Sequence, residues 1–420
     1  MKYLLKNGIV NGVKQNILLQ GERIAYIGNT SPASDEKIDL KGKIVLPGLI
    51  DPHVHVRDLG QSEKEDWTSV SRAALRGGVT TIFDMPNNRP PTTHLKNLNL
   101  KREKAKKSLV NYRFNIALTN YNYNDIVEIL NTNSKDVAAL KLFLAGSSAN
   151  EYVFSLDVIK RFFELSEKYS IPIICHTEMQ TCIDHYARKY PSPNIFNHDA
   201  IRHRNCSIEG TALLLDMAKQ TGGIFYAAHT STAEEIDLIR QNKNSCNVYC
   251  EITPHHLLLN DSVLESVGNF AKVNPPIRTL RDNKALWDGI KDGTVDVIGT
   301  DHAPHRRAEK LQEYRNAPSG FPGLETLTPL LLNEINQGNL DFETFIRLTS
   351  GNAARIFNVS ERGKIEVDNY ADLTIVDMNK KWKIEADNFN TKAKYSPYEG
   401  MTGRGDVVMT IVNGKKYNNE

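Results

Sequence analysis

Gly48-Leu-Ile-Asp-Pro-His-Val-His-Val-Arg57 is an apolar, β-prone run that ends in a cluster of polar side chains. Its compact apolar half recurs along the chain, at 79–85, 112–118, 138–144, 171–175, 223–228, 246–252 and 295–299. Most of these runs are separated by stretches with helical periodicity, such as 65–75, 156–168, 210–219 and 233–240. Continuous apolar strands alternating with amphipathic helices imply a parallel sheet covered on both faces. Eight such strands in about 300 residues point to a closed (β/α)₈ TIM-type barrel. An open doubly wound sheet is the other arrangement of this texture. It would want a Gly-rich phosphate loop after an early strand, and the sequence has none.

Outside this region the texture changes to short β-like runs broken by turns such as Asn7-Gly8, Asn11-Gly12 and Asn413-Gly414. Such runs read as a small sheet. Because they occupy both ends of the chain, the termini are expected to meet in one composite β-sandwich. The boundaries expected are 1–49 plus 360–420 for the sandwich, and 50–359 for the catalytic barrel.

Composition narrows the function. The chain has 420 residues, with 52 basic and 50 acidic side chains and a formal charge of +2. That balance offers no field to recruit nucleic acid or an anionic membrane. A Lys-rich run at 101–107 reads as the solvated face of a helix. The five cysteines are odd in number, which argues against a disulfide framework. No apolar stretch reaches the roughly 18 residues of a membrane span, and the N-terminus lacks a signal-peptide pattern. The expected setting is a reducing cytoplasm.

The polar residues at the strand ends carry the chemistry. With a period of two, His53 and His55 project to one face, where two imidazoles can share a metal ion. Lys141 sits inside the apolar run Ala139-Leu-Lys-Leu-Phe143. A buried ammonium needs a carboxylate, a depressed pKa or a covalent modification. His176 ends the fifth run, His229 the sixth and Asp301 the eighth. Each alone reads equally well as a satisfied core histidine or a capping aspartate. Together they fall on the C-terminal rim, where barrel active sites form. Four imidazoles, a carboxylate and a lysine suit a site for two Zn²⁺ ions. Two such cations need an anionic bridge, which Lys141 would supply if its amine took up CO₂ as a carbamate. A hydroxide between the ions would attack a carbonyl, with Asp301 as general acid and base. Arg57, two residues past His55, can grip a carboxylate bidentately, and Asn87 is placed to help. His255 and His256 read as structural.

Several stretches carry a resemblance: Asp51-Pro-His-Val-His-Val-Arg57, Val79-Thr-Thr-Ile-Phe-Asp-Met-Pro-Asn87, Ile252-Thr-Pro-His-His256, Lys272-Val-Asn-Pro-Pro276, Gly299-Thr-Asp-His-Ala-Pro-His305 and Ser396-Pro-Tyr-Glu-Gly400. The chain resembles the amidohydrolase superfamily, and within it the dihydroorotases. That resemblance implies a barrel with a composite β-sandwich and two zinc ions. It implies reversible cyclisation of N-carbamoyl-L-aspartate to L-dihydroorotate in pyrimidine biosynthesis. By the same match, His53, His55 and Asp301 hold one ion, His176 and His229 the other, and carboxylated Lys141 bridges them with a hydroxide. It adds Asn274 and His305 as substrate contacts, with the backbone near Ser319 and Gly320 reading the ring edge. Arg57-Asp58-Leu59-Gly60 stands where the family often has Arg-Asp/Glu-Pro-Gly. Lys141 replaces the aspartate of many close members and is shared with hydantoinases, allantoinases and other dihydroorotases. An allantoinase or a dihydropyrimidinase/hydantoinase is therefore the alternative, and a catalytically silent scaffold homologue the non-enzyme one. Barrels of this kind commonly pair, which makes a homodimer the candidate assembly. The segment 306–319, between the last strand and Gly320, is the candidate lid.

Overall fold

The computed structural model describes residues 2–146 and 152–419. Partly exposed runs at the N-terminus form β1 (Lys2–Val10), β2 (Val13–Gln20), β3 (Arg23–Gly28), β4 (Glu36–Asp39) and β5 (Ile44–Pro47). Mostly buried runs form β6 (Leu49–Val54), β7 (Val79–Asp84), β8 (Asn111–Ala117), β9 (Val137–Phe143), β10 (Ile173–His176), β11 (Phe225–Ala227), β12 (Val248–Ile252) and β13 (Val297–Ile298). The chain ends with β14 (Leu373–Lys383), β15 (Thr402–Val412) and β16 (Lys415–Asn418).

Strands β6 to β13 pair in sequence order, all parallel, in one sheet. The first and last edges meet where Val54 bridges His302, and the His55 N–H donates to His302 O at 2.8 Å. This is the (β/α)₈ barrel, with its edges joined at the strand that carries the His-Val-His run. Ile50, Phe83, Ala139, Ile174, Tyr226 and Val297 fill its interior, against Ile356 and Phe357. Pleating then fixes what stands above this floor. Lys141 lies two residues beyond Ala139, and His176 two beyond Ile174, so both continue the inward face.

The terminal strands join one eight-stranded sheet in the order β16-β15-β14-β5-β1-β2-β3, with β4 also on β1. It is antiparallel apart from β4 and β5, which run parallel to β1. Its free β3 edge curls back to the chain entering β14: Ile24 N–H donates to Asn369 O, and Asp368 N–H to Ile24 O. Leu5, Ile17 and Ile24 from one half pack with Leu373, Ile375 and Ile411 from the other. Arg76 clamps this sheet to the barrel with two bonds to Asp406, at 2.8 and 2.9 Å.

Two expectations are corrected. Lys101 does not lie on a solvated face. It is fully buried on the helix Leu95–Ala105, with its Nζ 2.8 Å from Asp84 Oδ2 and 2.8 Å from Met85 O. A carboxylate at the end of β7 makes that burial tolerable. The cysteines are also not all free. Cys182 and Cys206 form a disulfide, with Cα atoms 5.3 Å apart, while Cys175, Cys246 and Cys250 are free thiols. Helices Gln180–Ala187 and Arg204–Thr221 bring that pair together. Among the described residues, no helix is long and apolar enough to cross a membrane.

Candidate active site

The C-terminal rim of the barrel opens into a cavity of about 260 Å³. His53, His55, Arg57, Asn87, Lys141, His176, His229, Asn274, Asp301, His305, Ser319 and Gly320 all line it. The structure thus gathers every candidate metal ligand and substrate contact named from the sequence, drawn from six of the strand ends and the loops behind them. Arg57, His229 and Asp301 have φ angles of 64°, 38° and 46°. Left-handed backbone at non-glycine residues costs of order 1–3 kcal/mol each and clusters at functional sites.

Two ligand-rich clusters face each other. His53 Nε2 and His55 Nε2 lie 3.3 and 3.1 Å from Asp301 Oδ1. These three are the group of described residues close enough to hold one ion together. Across from them, His176 Nδ1 is 3.1 Å from His229 Nε2.

The outer nitrogens determine which atoms point inward. His53 Nδ1 lies 2.7 Å from Glu251 Oε1, His55 Nδ1 2.7 Å from Asn87 Oδ1, and His176 Nε2 3.0 Å from Glu178 Oε2. A carboxylate or amide oxygen only accepts, so each of these nitrogens carries the proton. His53 Nε2, His55 Nε2 and His176 Nδ1 therefore present lone pairs to the cavity. A lone pair 3.1 Å from the acceptor Asp301 Oδ1 calls for a cation between them. Burial supports this tautomer pattern by disfavouring imidazolium. It lowers His55 to about 3, lowers His176, and pushes His229 well below the usual range.

Glu251 and Glu178 are functional neighbours that the sequence reading missed. Both are fully buried. Glu251 also accepts from the His229 N–H at 3.0 Å and from Tyr226 Oη at 2.9 Å. Glu178 is gripped by Arg202, with Nη2 2.6 Å from Oε2. The signal for Glu251 was available, because a carboxylate inside the run Val248-Tyr-Cys-Glu-Ile252 is as anomalous as Lys141 in its own strand.

Lys141 is fully buried, and its Nζ has no hydrogen-bond partner among the described residues. Burial lowers its pKa to about 8. A buried amine without a partner needs a depressed pKa or a covalent modification.

Arg57 lies buried at the opposite wall. Its Nε donates to Pro304 O at 3.3 Å, while Nη1 has no partner among the described residues. Its neighbour His305 has Lys64 Nζ 3.1 Å from Nδ1 and Ser319 O 3.0 Å from Nε2. A lysine only donates, so His305 is the tautomer that carries its proton on Nε2. Asn274 Oδ1 is likewise buried and unpartnered among the described residues. His255 and His256 stand outside the cavity lining. His256 bonds Thr253 Oγ1 at 2.8 Å and Pro275 O at 3.0 Å, a structural arrangement.

Comparison with known proteins agrees with this geometry. The profile described as "Amidohydrolase family" matches residues 44–416. The chain belongs to the amidohydrolase family. Among its relatives, a dihydroorotase of Methanosphaera stadtmanae is 34% identical over 417 residues, covering 98% of this chain and 91% of that protein. A dihydroorotase of Pyrococcus horikoshii is 34% identical over 416 residues, covering 99% and 90%. Among solved structures, the L-hydantoinase (dihydropyrimidinase) from Arthrobacter aurescens superposes with a TM-score of 0.94 at 27% identity, covering 99% of this chain and 95% of its own. As an amidohydrolase family member, the chain is a hydrolase whose His53, His55 and Asp301 cluster fits the metal dependence typical of that family.

Proposed function

We propose that this amidohydrolase is a dihydroorotase, which interconverts N-carbamoyl-L-aspartate and L-dihydroorotate. The observation that carries this is the buried Arg57 guanidinium, whose Nη1 has no partner among the described residues, in the same cavity as six candidate metal ligands. A buried cation with donors to spare needs an anion, and dihydroorotate brings a ring carboxylate. The curated relatives named dihydroorotase, at 34% identity over nearly the whole chain, support the same reading.

The residues fit two zinc ions. His53, His55 and Asp301 would hold one, His176 and His229 the other, and Lys141 carboxylated by CO₂ would bridge them. Zinc there would supply carbonyl polarisation and a water acidified toward neutrality. The chain's own groups do the rest. Arg57, beside His305, orients the carboxylate, with Asn274 and Asn87 at the ring. Asp301, ionised at neutral pH, takes the proton of the attacking water and returns it to the ring nitrogen as the C–N bond breaks. In the cyclising direction, the same carboxylate removes a proton from the ureido nitrogen.

A hydantoinase or dihydropyrimidinase is the second reading, and the resemblance to the Arthrobacter enzyme favours it. The test is a panel: zinc-loaded protein is assayed on dihydroorotate, N-carbamoyl-L-aspartate, allantoin and dihydrouracil, with zinc counted per chain. Turnover of the first two at two zinc ions per chain is expected. Turnover confined to dihydrouracil would transfer the chain to the second reading, and turnover confined to allantoin would make it an allantoinase.

A further inference from the structure

Lys310 closes the short helix Arg307–Lys310 within the segment 306–319; it is fully buried, and no carboxylate among the described residues pairs with its amine. Its Nζ donates to three backbone carbonyls instead: Lys272 O at 3.0 Å, Pro318 O at 2.9 Å and Gly320 O at 3.0 Å. Burial and the neighbouring Lys272 press this amine well below the usual lysine range. The carbonyls oppose that by accepting all three protons that an ammonium offers. A second lysine works alongside it, with Lys272 Nζ 2.6 Å from both Tyr314 O and Ala317 O. Two ammonium groups thus hold the wall of the cavity by its backbone.

The consequence lies in the peptide between Pro318 and Ser319. It is trans, the cis peptides being Arg89–Pro90 and Asn274–Pro275. In a planar trans peptide the N–H points opposite to the C=O. Pro318 O points at Lys310, so the Ser319 N–H points away from Lys310, and both Pro318 and Ser319 line the cavity. No acceptor among the described residues takes that N–H. The next peptide is fixed at both ends: His305 Nε2 donates to Ser319 O at 3.0 Å, and the Gly320 N–H donates to Lys272 O at 2.8 Å. Gly320, at φ 120°, is pressed so close to Ala303 that a Cβ would lie 2.7 Å from its carbonyl oxygen. These contacts tie the loop to the barrel wall at Ser319 and Gly320.

We infer that Lys310 is a positioning residue, whose grip on the Pro318 and Gly320 carbonyls turns the Ser319 N–H into the cavity as a fixed donor for a ring carbonyl oxygen of a cyclic-amide substrate. This rests on the dihydroorotase reading for the substrate and goes beyond it for the residue.

The test uses zinc-loaded enzyme and dihydroorotate. Lys310→Met keeps the length and removes the donors; Ser319→Pro removes the N–H and leaves Lys310 in place. Losing one neutral hydrogen bond to substrate raises KM about tenfold. Each variant is expected to do so with zinc content unchanged, and with kcat less affected than KM. Because both act through one N–H, the double variant is expected to be no worse than either alone. If Lys310→Met does not fold, Lys310→Gln keeps some donors and is expected to raise KM by a smaller factor. An unchanged KM in Lys310→Met or Lys310→Gln, or fully additive effects in the double variant, overturns the inference. A wild-type enzyme inert on dihydroorotate overturns the functional reading instead, so the two failures are told apart.

Discussion

Glu251 Oε1 lies 2.7 Å from His53 Nδ1, and neither side chain has appreciable contact with solvent. The same carboxylate accepts from the backbone of His229 and from Tyr226 Oη. One buried anion thus orients a candidate ligand from each of the two facing clusters. Gly299 leaves room for it, since a Cβ there would lie 2.9 Å from Glu251 Oε2. Partners of this kind fix the ligand's tautomer and raise its basicity.

Glu251→Gln tests that coupling. An amide cannot accept from His53 Nδ1, the His229 N–H and Tyr226 Oη without turning its own N–H₂ toward one of them. Zinc affinity is expected to fall roughly 10- to 100-fold, with the circular dichroism spectrum kept. Zinc titration against a competing chelator reads it, and wild-type affinity would remove Glu251 from the metal site.

Lys141 is expected to carry CO₂. Its amine, lowered to about 8 by burial, is partly neutral and nucleophilic near neutral pH. Protein expressed with carbon-13 bicarbonate should give a carbamate carbon signal by NMR, and Lys141→Ala should abolish both that signal and the second zinc. Two zinc ions retained in Lys141→Ala would rule the bridge out.

The barrel and the candidate ligands were legible in the sequence because burial on both faces leaves little alternation in a strand. Any charged residue in such a run therefore stands out, as Lys141 does. Glu251 obeys the same rule but lies one residue short of a strand end, and the sequence does not say that it faces His53. Lys101 was misread for a related reason. Helical spacing gives a face to each lysine, yet only the fold puts Asp84 under one of them and leaves Lys106 in solvent. The disulfide was equally out of reach, since 24 residues separate Cys182 from Cys206 and helix packing alone brings them together.

Arg57→Ala is expected to raise KM for dihydroorotate roughly 10- to 100-fold, the cost of losing a charge-assisted pair, while zinc content stays at the wild-type value. Arg57→Lys should recover little, because an ammonium cannot reproduce the planar fork. Steady-state kinetics and metal analysis on the same preparation decide it. Unchanged KM in Arg57→Ala would withdraw the argument for a carboxylate-bearing substrate.

The Lys101–Asp84 pair predicts a stability effect that reaches the site. Asp84 Oδ1 accepts the Val56 N–H at 2.9 Å, immediately before the left-handed Arg57, and Lys101 donates to Met85 O, two residues before Asn87. Both members are fully buried, and burial opposes charge on each, lowering Lys101 and raising Asp84. Lys101→Met leaves the carboxylate alone in the interior, which costs about 3–5 kcal/mol. Asp84→Asn combined with Lys101→Met removes both charges and is expected to recover a large part of that loss. Urea unfolding at constant m-value measures both. If the single variant costs no more than the double, the pair does not hold the rim together, and Arg57 must owe its backbone conformation to other contacts.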